Sequence, residues 1–434
     1  MPVSGSVPDD ARLPRSLYAE TARERVATSP LDGDRTVDVA IVGGGFTGLS
    51  AALPLAQRGV EVAVLEAREP GWGASGRNGG QVNPGLKHEP DEIEAEFGAA
   101  LGRRMIALSG DAPNRVFALI REHQIRCDAR QTGTIRATFT NGSADTIRRA
   151  TERWQRRGAP VELLDRDGIA TATGTGRYIC GALDRRGGSV NPLGYARGLA
   201  EAAIRAGASV HSQTPAAAVV RQGNKWLLTT PRGSVTAEWL VLATNGYTDD
   251  LWPGLRRSIV PVYSGIVATE PLPDAVARRI LPEGSVLYEH EAITVYYRLD
   301  AANRLLMGGR SRLRPLEGPE GFRDLMRYTK RLWPFIGDVR WSHGWNGQLA
   351  ITTDHYPHLQ EPGPNAIACL GYNGRGIAMA TVMGGEIARR ISGTPASDLD
   401  MPVTPLRPIP FHRLWPLAAS ARIAYGRARN ALGM

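Results

Sequence analysis

Chemistry first becomes legible in this 434-residue chain at three glycines. Gly43, Gly45 and Gly48 form G-x-G-x-x-G within "GGGFTG". The apolar run 35–42, "RTVDVAIV", reads as a buried strand, 47–58 as a helix, and 60–66, "VEVAVLE", as a second strand. In that strand–turn–helix–strand setting the glycines are a dinucleotide-binding fingerprint. Gly43 permits the tight turn, Gly45 lets a pyrophosphate approach the backbone, and Gly48 lets helix and strand pack closely. Phe46 and Thr47 fall in the first helical turn, where unpaired amides and the positive dipole end favour phosphate. Glu66 closes the second strand, with Ala67 next to it, and can accept hydrogen bonds from both hydroxyls of an adenosine ribose. Pro54 removes the helical hydrogen bond to Ser50, which predicts a kink downstream of the binding turn.

A second stretch follows at the carboxyl edge of the expected sheet, where ligands of such folds bind. It is "GWGASGRNGGQVNPG", residues 71–85, and six of its fifteen residues are glycine. Gly73, Ala74 and Gly79 offer little bulk, while Ser75, Arg77, Asn78 and Gln81 supply polar atoms. A flat isoalloxazine ring and its ribityl chain fit against such a backbone, which favours FAD over NAD. The stretch "GYNGRG", 371–376, lies between a buried strand at 366–370 and a helix from about 376 to 391.

The elements that must position these residues alternate as strands and helices, give way to a sheet-rich region, and return to α/β. Residues 92–124 read as two helices, 132–140 as a strand, and 143–157 and 192–206 as helices. Residues 226–230 and 235–244 read as strands, and 258–309 as a sheet. Hydrophobic content of 42% and charged content of 22% are ordinary for a globular protein, and no apolar run approaches the roughly 18 residues of a membrane span. Cys127, Cys180 and Cys369 match neither zinc spacing nor a disulfide framework, and the histidines are scattered, so no metal site is expected. Residues 1–26 contain acids and no signal-type apolar core, and read as an extended lead-in. With the cysteine usage, this places the chain in the cytoplasm. The formal charge is +9; five arginines (Arg407, Arg413, Arg422, Arg427, Arg429) lie in 401–434 without an acid. No basic stripe interleaves with aromatics, so nucleic acid is not expected as a partner. The competing class is a basic binding protein that keeps a dinucleotide fold for structure alone. Oligomeric state is left open.

Four stretches in order, "DVAIVGGGFTGLSAA", "VLEAREPGWGASGRNGGQ", "VLATNGYT" and "CLGYNGRGIAMATVMGGEIA", resemble the D-amino-acid-oxidase-like FAD oxidoreductases. Glycine oxidase, sarcosine oxidase and bacterial gamma-glutamylputrescine oxidase belong to that superfamily, and the chain resembles the last. The resemblance implies an α/β fold: an FAD-binding Rossmann-like parallel-sheet domain plus a mostly antiparallel substrate domain with helices. Mapped onto the chain, the FAD domain takes 36–95, 158–250 and 344–401, the substrate domain takes 96–157 and 251–343, and 402–434 is a basic C-terminal tail. The resemblance also places Ala216 against the adenine, Thr244 and Gly246 beside the cofactor, and Gly374, Arg375, Gly376 and Ile377 at the pyrimidine side of the flavin.

The chemistry so implied is oxidation of a C–N bond. A neutral amine gives hydride to the flavin, the imine hydrolyses to an aldehyde or keto product, and O2 reoxidises the flavin to give H2O2. The FAD is expected to be non-covalent, because the positions that carry the attachment in relatives are Arg77 and Gly347. Relatives clamp a substrate carboxylate at positions that here hold Leu349 and Ala378, and activate O2 at a position that here holds Leu306. The expected substrate is therefore an amine of the glutamylated kind. The alternative is an FAD-dependent dehydrogenase or oxidase of a secondary cyclic amino acid such as L-pipecolate, with an acceptor other than O2 open. Arg310, Tyr296 and Tyr297 are the candidate catalytic residues, with Arg310 and one of the two tyrosines expected to face the cavity over the flavin.

Overall fold

The computed structural model describes residues 12–432. Residues 1–11 and 433–434, and the side chains of Arg422, Arg427 and Arg429 in the basic tail, lie outside the described residues. The first sheet is built on five parallel strands in the order Ser209–His211, Val62–Leu65, Arg35–Val42, Gly233–Leu242, Ala366–Leu370. Val39 to Val42 and all of Ala366–Leu370 are buried, as expected of parallel strands covered on both faces. One face carries the helices Phe46–Ala56, Pro90–Glu122, Pro192–Arg205 and Gly376–Ile391. The other packs Leu31, Trp226, Leu228, Leu255 and Ile259 against Ala40, Leu65 and Leu242.

The second sheet has eight strands, in the order Trp341–Ile351, Val260–Thr269, Leu305–Arg310, Tyr296–Leu299, Val286–Glu289, Thr134–Thr138, Cys180–Asp184, Val161–Leu164. Every pair is antiparallel except Val286–Glu289 with Thr134–Thr138. One parallel sheet and one mostly antiparallel sheet is the expected architecture.

Several expectations are corrected by these pairings. Val161–Leu164 and Cys180–Asp184 belong to the second sheet, so 158–184 stays with the substrate side by sheet membership. Thr134–Thr138 needs a partner on each edge, and Cys180–Asp184 is one of them. Trp341–Ile351 likewise belongs to the second sheet up to residue 351. The lead-in is not extended throughout: Leu17–Thr21 is a short helix capped by Ser16 Oγ, which accepts from Ala19 N at 3.2 Å. Leu17 and Tyr18 are buried with Ile266, Leu306 and Trp345, because an apolar pair finds a seat between the two sheets. The C-terminal segment is no mere tail, since Val403–Thr404 pairs with His358–Gly363 and Trp415–Leu432 is helical. The helix Phe46–Ala56 runs on through Pro54 and ends two residues later, so the lost hydrogen bond falls in its last turns. The expected break within 92–124 sits at Gly98, with φ 77° and ψ 161°.

Phe46–Ala56 and Gly376–Ile391 touch closely enough that a Cβ on Gly384 would lie 2.5 Å from Ser50 Cβ. Gly385, next to it, faces open space. Gly384→Ala is therefore expected to lose about 1–3 kcal/mol by overpacking. Gly385→Ala is expected to gain up to about 1 kcal/mol from helix propensity. Guanidinium unfolding of the two FAD-loaded variants checks this; equal stabilities would contradict the close helix contact.

Candidate active site

Three loops meet at the carboxyl ends of adjacent parallel strands. In the first, Gly43 has φ +109°, and a Cβ there would lie 2.8 Å from Ala243 O. A Cβ on Gly48 would overlap Gly43 O, so this glycine is required by helix–turn packing. Gly45 occupies the N-cap without a side-chain capping bond, which leaves the first-turn amides facing outward. Phe46 N–H donates to Ser75 Oγ at 3.0 Å, and a Cβ on Gly45 would lie 2.9 Å from that oxygen. A helix start behind a glycine turn is the geometry that accepts a diphosphate. Thr47 Oγ1 lies 2.6 Å from Tyr372 OH, which in turn donates to Cys369 Sγ at 3.3 Å. The first loop is thus tied to the third.

Glu66 accepts from Gly44 N–H at 2.7 Å and from Arg68 N–H at 2.9 Å, one bond to each carboxylate oxygen. Each oxygen keeps a lone pair for a ribose hydroxyl. Burial pushes the Glu66 carboxyl up, against the pull of these amides. Glu66 N–H donates to His211 O and its carbonyl accepts from Thr214 N–H, both at 2.8 Å. The turn leading to half-buried Ala216 therefore runs alongside Glu66, while Ala67 is exposed beside it.

In the second loop Thr244 follows the residue that presses on Gly43, and its hydroxyl lies 2.7 Å from Thr248 Oγ1. Gly246 abuts Gln348 O, and Asn245 Oδ1 accepts from Gly371 N–H at 3.0 Å. In the third loop Gly374 has φ +87° and open space on its Cβ side. Gly376 starts the helix, and Ile377 is buried beneath it. The Arg375 guanidinium donates to Pro84 O and, at 3.1 Å, to Tyr288 OH.

The segment from Gly73 to Gln81 lies between the two sheets. Ala74–Gly76 is a 3-10 turn, and Asn78 Nδ2 donates to Ala74 O at 3.1 Å and Ser75 O at 2.9 Å. Arg77 Nε donates to Trp72 O at 2.7 Å, with its guanidinium 4.1 Å above the Trp72 ring. Gln81 Nε2 donates to Leu287 O and Tyr297 O. The amide donors of Asn78 and Gln81 are thus engaged with backbone carbonyls. The polar groups that this segment offers a flavin are mainly its own backbone.

The second sheet turns one face to this segment. Cross-strand partners share a face, and Arg136, Tyr288, Tyr296, Gly308, Ile266 and Trp345 are successive partners. That row meets the glycine-rich segment: Trp345 Nε1 donates to Arg77 O at 3.0 Å, and a Cβ on Gly79 would lie 2.6 Å from the Tyr296 ring. Tyr296 OH is bonded to Ser264 Oγ at 2.8 Å, and burial pushes the phenol up, so it stays protonated at neutral pH. Arg310, two residues beyond Gly308, has an exposed side chain on this same face. Tyr297 is corrected: alternation turns it to the opposite face, where it is buried with Trp333 and donates to Tyr178 OH at 3.2 Å. It belongs to the core behind the sheet, beside Glu289, whose carboxyl is pushed up to about 7 by burial.

Sequence reasoning missed Asn373, a buried residue at φ +54°. Its amide accepts from Thr352 N–H and donates to Gly371 O and Thr352 Oγ1, which fixes the third loop. The Asn-Gly pair in "GYNGRG" was the available signal, since Asn tolerates this conformation. Lys87 and Arg136 were also missed, and nothing in their local sequence marks them.

A family model described as "FAD dependent oxidoreductase" matches residues 38–390. Among curated proteins, gamma-glutamylputrescine oxidoreductase of Escherichia coli (strain K12) is 31% identical over 380 residues, covering 87% of this chain and 89% of its own length. Probable oxidoreductase OrdL of Haemophilus influenzae is 30% identical over 388 residues, covering 87% and 88%. Among solved structures, glycine oxidase from Geobacillus kaustophilus superposes with a TM-score of 0.71 at 23% identity, covering 83% of this chain and 96% of the other.

The Glu66 geometry carries a prediction for FAD. Hydrogen bonds to a charged group contribute about 1.5–3 kcal/mol, so Glu66→Ala is expected to weaken FAD binding about ten- to a hundredfold. Fluorescence titration of the apoprotein measures it; unchanged affinity would remove Glu66 from the site.

Proposed function

Because this chain belongs to the FAD-dependent oxidoreductase (DAO) family, which acts here on amine or amino-acid substrates, we propose that its substrate is an amine bearing an anionic group away from the reacting nitrogen. The observation that carries this is the shared face of Tyr296 and Arg310, turned to the Gly73–Gln81 segment. A guanidinium there repels a bare polycation and attracts a carboxylate. A glutamylated diamine meets that demand, as the name of the Escherichia coli relative suggests.

FAD, when bound, supplies the two-electron acceptor for a C–N bond. Gly43 to Gly48 and Glu66 hold its adenosine diphosphate end, Ala216 borders the adenine, and Gly73–Gln81, Thr244, Gly246 and Gly374–Ile377 border the flavin. The bond is non-covalent, since Arg77 and Gly347 offer no attachment atom. Tyr296, held by Ser264, is a neutral wall that orients substrate rather than a base. The cationic face favours the neutral amine over its ammonium, which is the form that can give up hydride. The imine product hydrolyses in water to an aldehyde.

O2 is the proposed acceptor. A dehydrogenase reading is favoured by one observation: Leu306, where relatives carry an oxygen-activating lysine, is buried and apolar. The three cysteines are free and buried, in keeping with a reducing compartment such as the cytoplasm. No helix among the described residues is long and apolar enough to cross a membrane.

The test is anaerobic. A glutamylated diamine is expected to bleach the flavin band of the purified protein, and the bare diamine to bleach it at least tenfold more slowly. Arg310→Ala is expected to raise KM for the glutamylated amine with FAD content unchanged. Bleaching by the bare diamine alone, or unchanged KM and kcat in the variant, would contradict the anionic-substrate reading.

A further inference from the structure

Four cations from four chain segments stand together at the flavin-facing end of the second sheet. Arg136 lies opposite Tyr288, and Tyr288 opposite Tyr296, so the three share the face on which Arg310 also lies. From the first sheet's side Arg375 reaches down to Tyr288, bonding its hydroxyl at 3.1 Å with the guanidinium 5.4 Å from the ring centre. Lys87, two residues past the glycine-rich segment, is close enough to Arg375, Arg136 and Arg310 to be acted on by all three. Lys87 keeps solvent-reachable surface, and its stretch of chain is held between Arg375, which donates to Pro84 O, and Arg136, which pairs with Glu89 at 2.7 Å.

Among the described residues, the acids and histidines around Lys87, Arg136 and Arg375 are engaged as follows. Glu89 is engaged with Arg136 at 2.7 Å, and Glu92 reaches back to the Glu89 amide at 2.9 Å. His290 lies 3.1–3.2 Å from Arg136, and burial, with Arg136, Lys87 and Arg375, drives it down to about 3, so it is neutral. His88 is next in sequence and faces Glu92 at 3.9 Å. Among the described residues, Arg136 Nε and Arg375 Nε are buried without hydrogen-bond partners. Enclosed like charges of this kind are costly unless an anion sits among them.

Resting on the amine-oxidation reading above, we propose that Lys87 is the direct contact for the substrate carboxylate, with Arg310, Arg136 and Arg375 around it setting the field. This subsite stands in for the carboxylate positions that Leu349 and Ala378 leave apolar. Lys87 also makes it pH-sensitive. Enclosure first, then the three arginines, push its ammonium down to about 7. The charge is present below that pH and lost above it, so carboxylate binding weakens as pH rises through about 7.

The experiment uses FAD-loaded wild type, Lys87→Met and Lys87→Arg. The probes are benzoate, read by its perturbation of flavin absorbance, and a glutamylated diamine against its methyl ester. Lys87→Met is expected to weaken benzoate and raise KM for the acid about ten- to a hundredfold, while leaving the ester unaffected. Wild-type affinity for benzoate is expected to fall above pH 7, and Lys87→Arg to hold it flat with FAD content unchanged. Equal effects on acid and ester, or benzoate binding unaltered in Lys87→Met, would overturn the subsite. So would an effect confined to the flavin reduction potential, which would assign the charge to the reduced cofactor. Because benzoate binding needs no turnover, its loss in Lys87→Met supports the subsite even if no amine bleaches the flavin. Bleaching by the amine with intact benzoate binding in Lys87→Met rejects the subsite alone.

Discussion

Everything at this site depends on a short glycine-rich segment pinned between two sheets. On one side Ser75 Oγ accepts from the first amide of the dinucleotide helix. On the other, Arg298 Nε donates to Gly79 O at 2.8 Å, Trp345 donates to Arg77 O, and Gln81 donates to two carbonyls of the second sheet. Arg298 is itself buried, and also donates to Tyr18 OH and Val190 O. The glycines here are a consequence of crowding. A Cβ on Gly79 would meet Tyr296, one on Gly76 would meet Gly71 O, and Gly80 combines φ +69° with contact to Val190 O. The segment is therefore a rigid plate with little side-chain bulk, which is what a flat ring needs from a protein surface.

Charge is arranged along that plate. At one end lie the start of the dinucleotide helix and Glu66, suited to a diphosphate and a ribose. At the other lie Arg310, Arg136, Arg375 and Lys87, with Glu89 paired to Arg136 and the Tyr288 hydroxyl accepting from Arg375. On the reading proposed above, such an arrangement would favour a ligand with an anionic end over a protonated amine at the reacting carbon. The face behind the sheet, with Glu289, Tyr178, Tyr297 and Tyr328 hydrogen-bonded together, holds the strands in register and does not reach the site.

What was legible in the sequence follows from how local each constraint is. Gly43, Gly45 and Gly48 obey a backbone rule that spans six residues, so spacing alone exposes them. The strand at 366–370 and the half-strand at 39–42 are buried on both faces and read as continuous apolar runs. Tyr296 and Tyr297 illustrate a limit: alternation separates them onto two faces but does not say which face meets the flavin. Val161–Leu164 and Cys180–Asp184 were assigned to the wrong unit because strand partners lie far away in sequence. Lys87 was invisible for the same reason, since its character comes from three arginines at 136, 310 and 375. Leu17 and Tyr18 read as part of an extended lead-in, and the gap between the sheets gives them a seat.

The most direct measurement is a diffraction structure of the FAD-loaded protein with a non-reacting carboxylate in the site. The account predicts the isoalloxazine lying along Ala74 to Gln81 and facing Tyr296, with the carboxylate against Lys87. A ring displaced from that segment, or a carboxylate held elsewhere with Lys87 turned away, would contradict it.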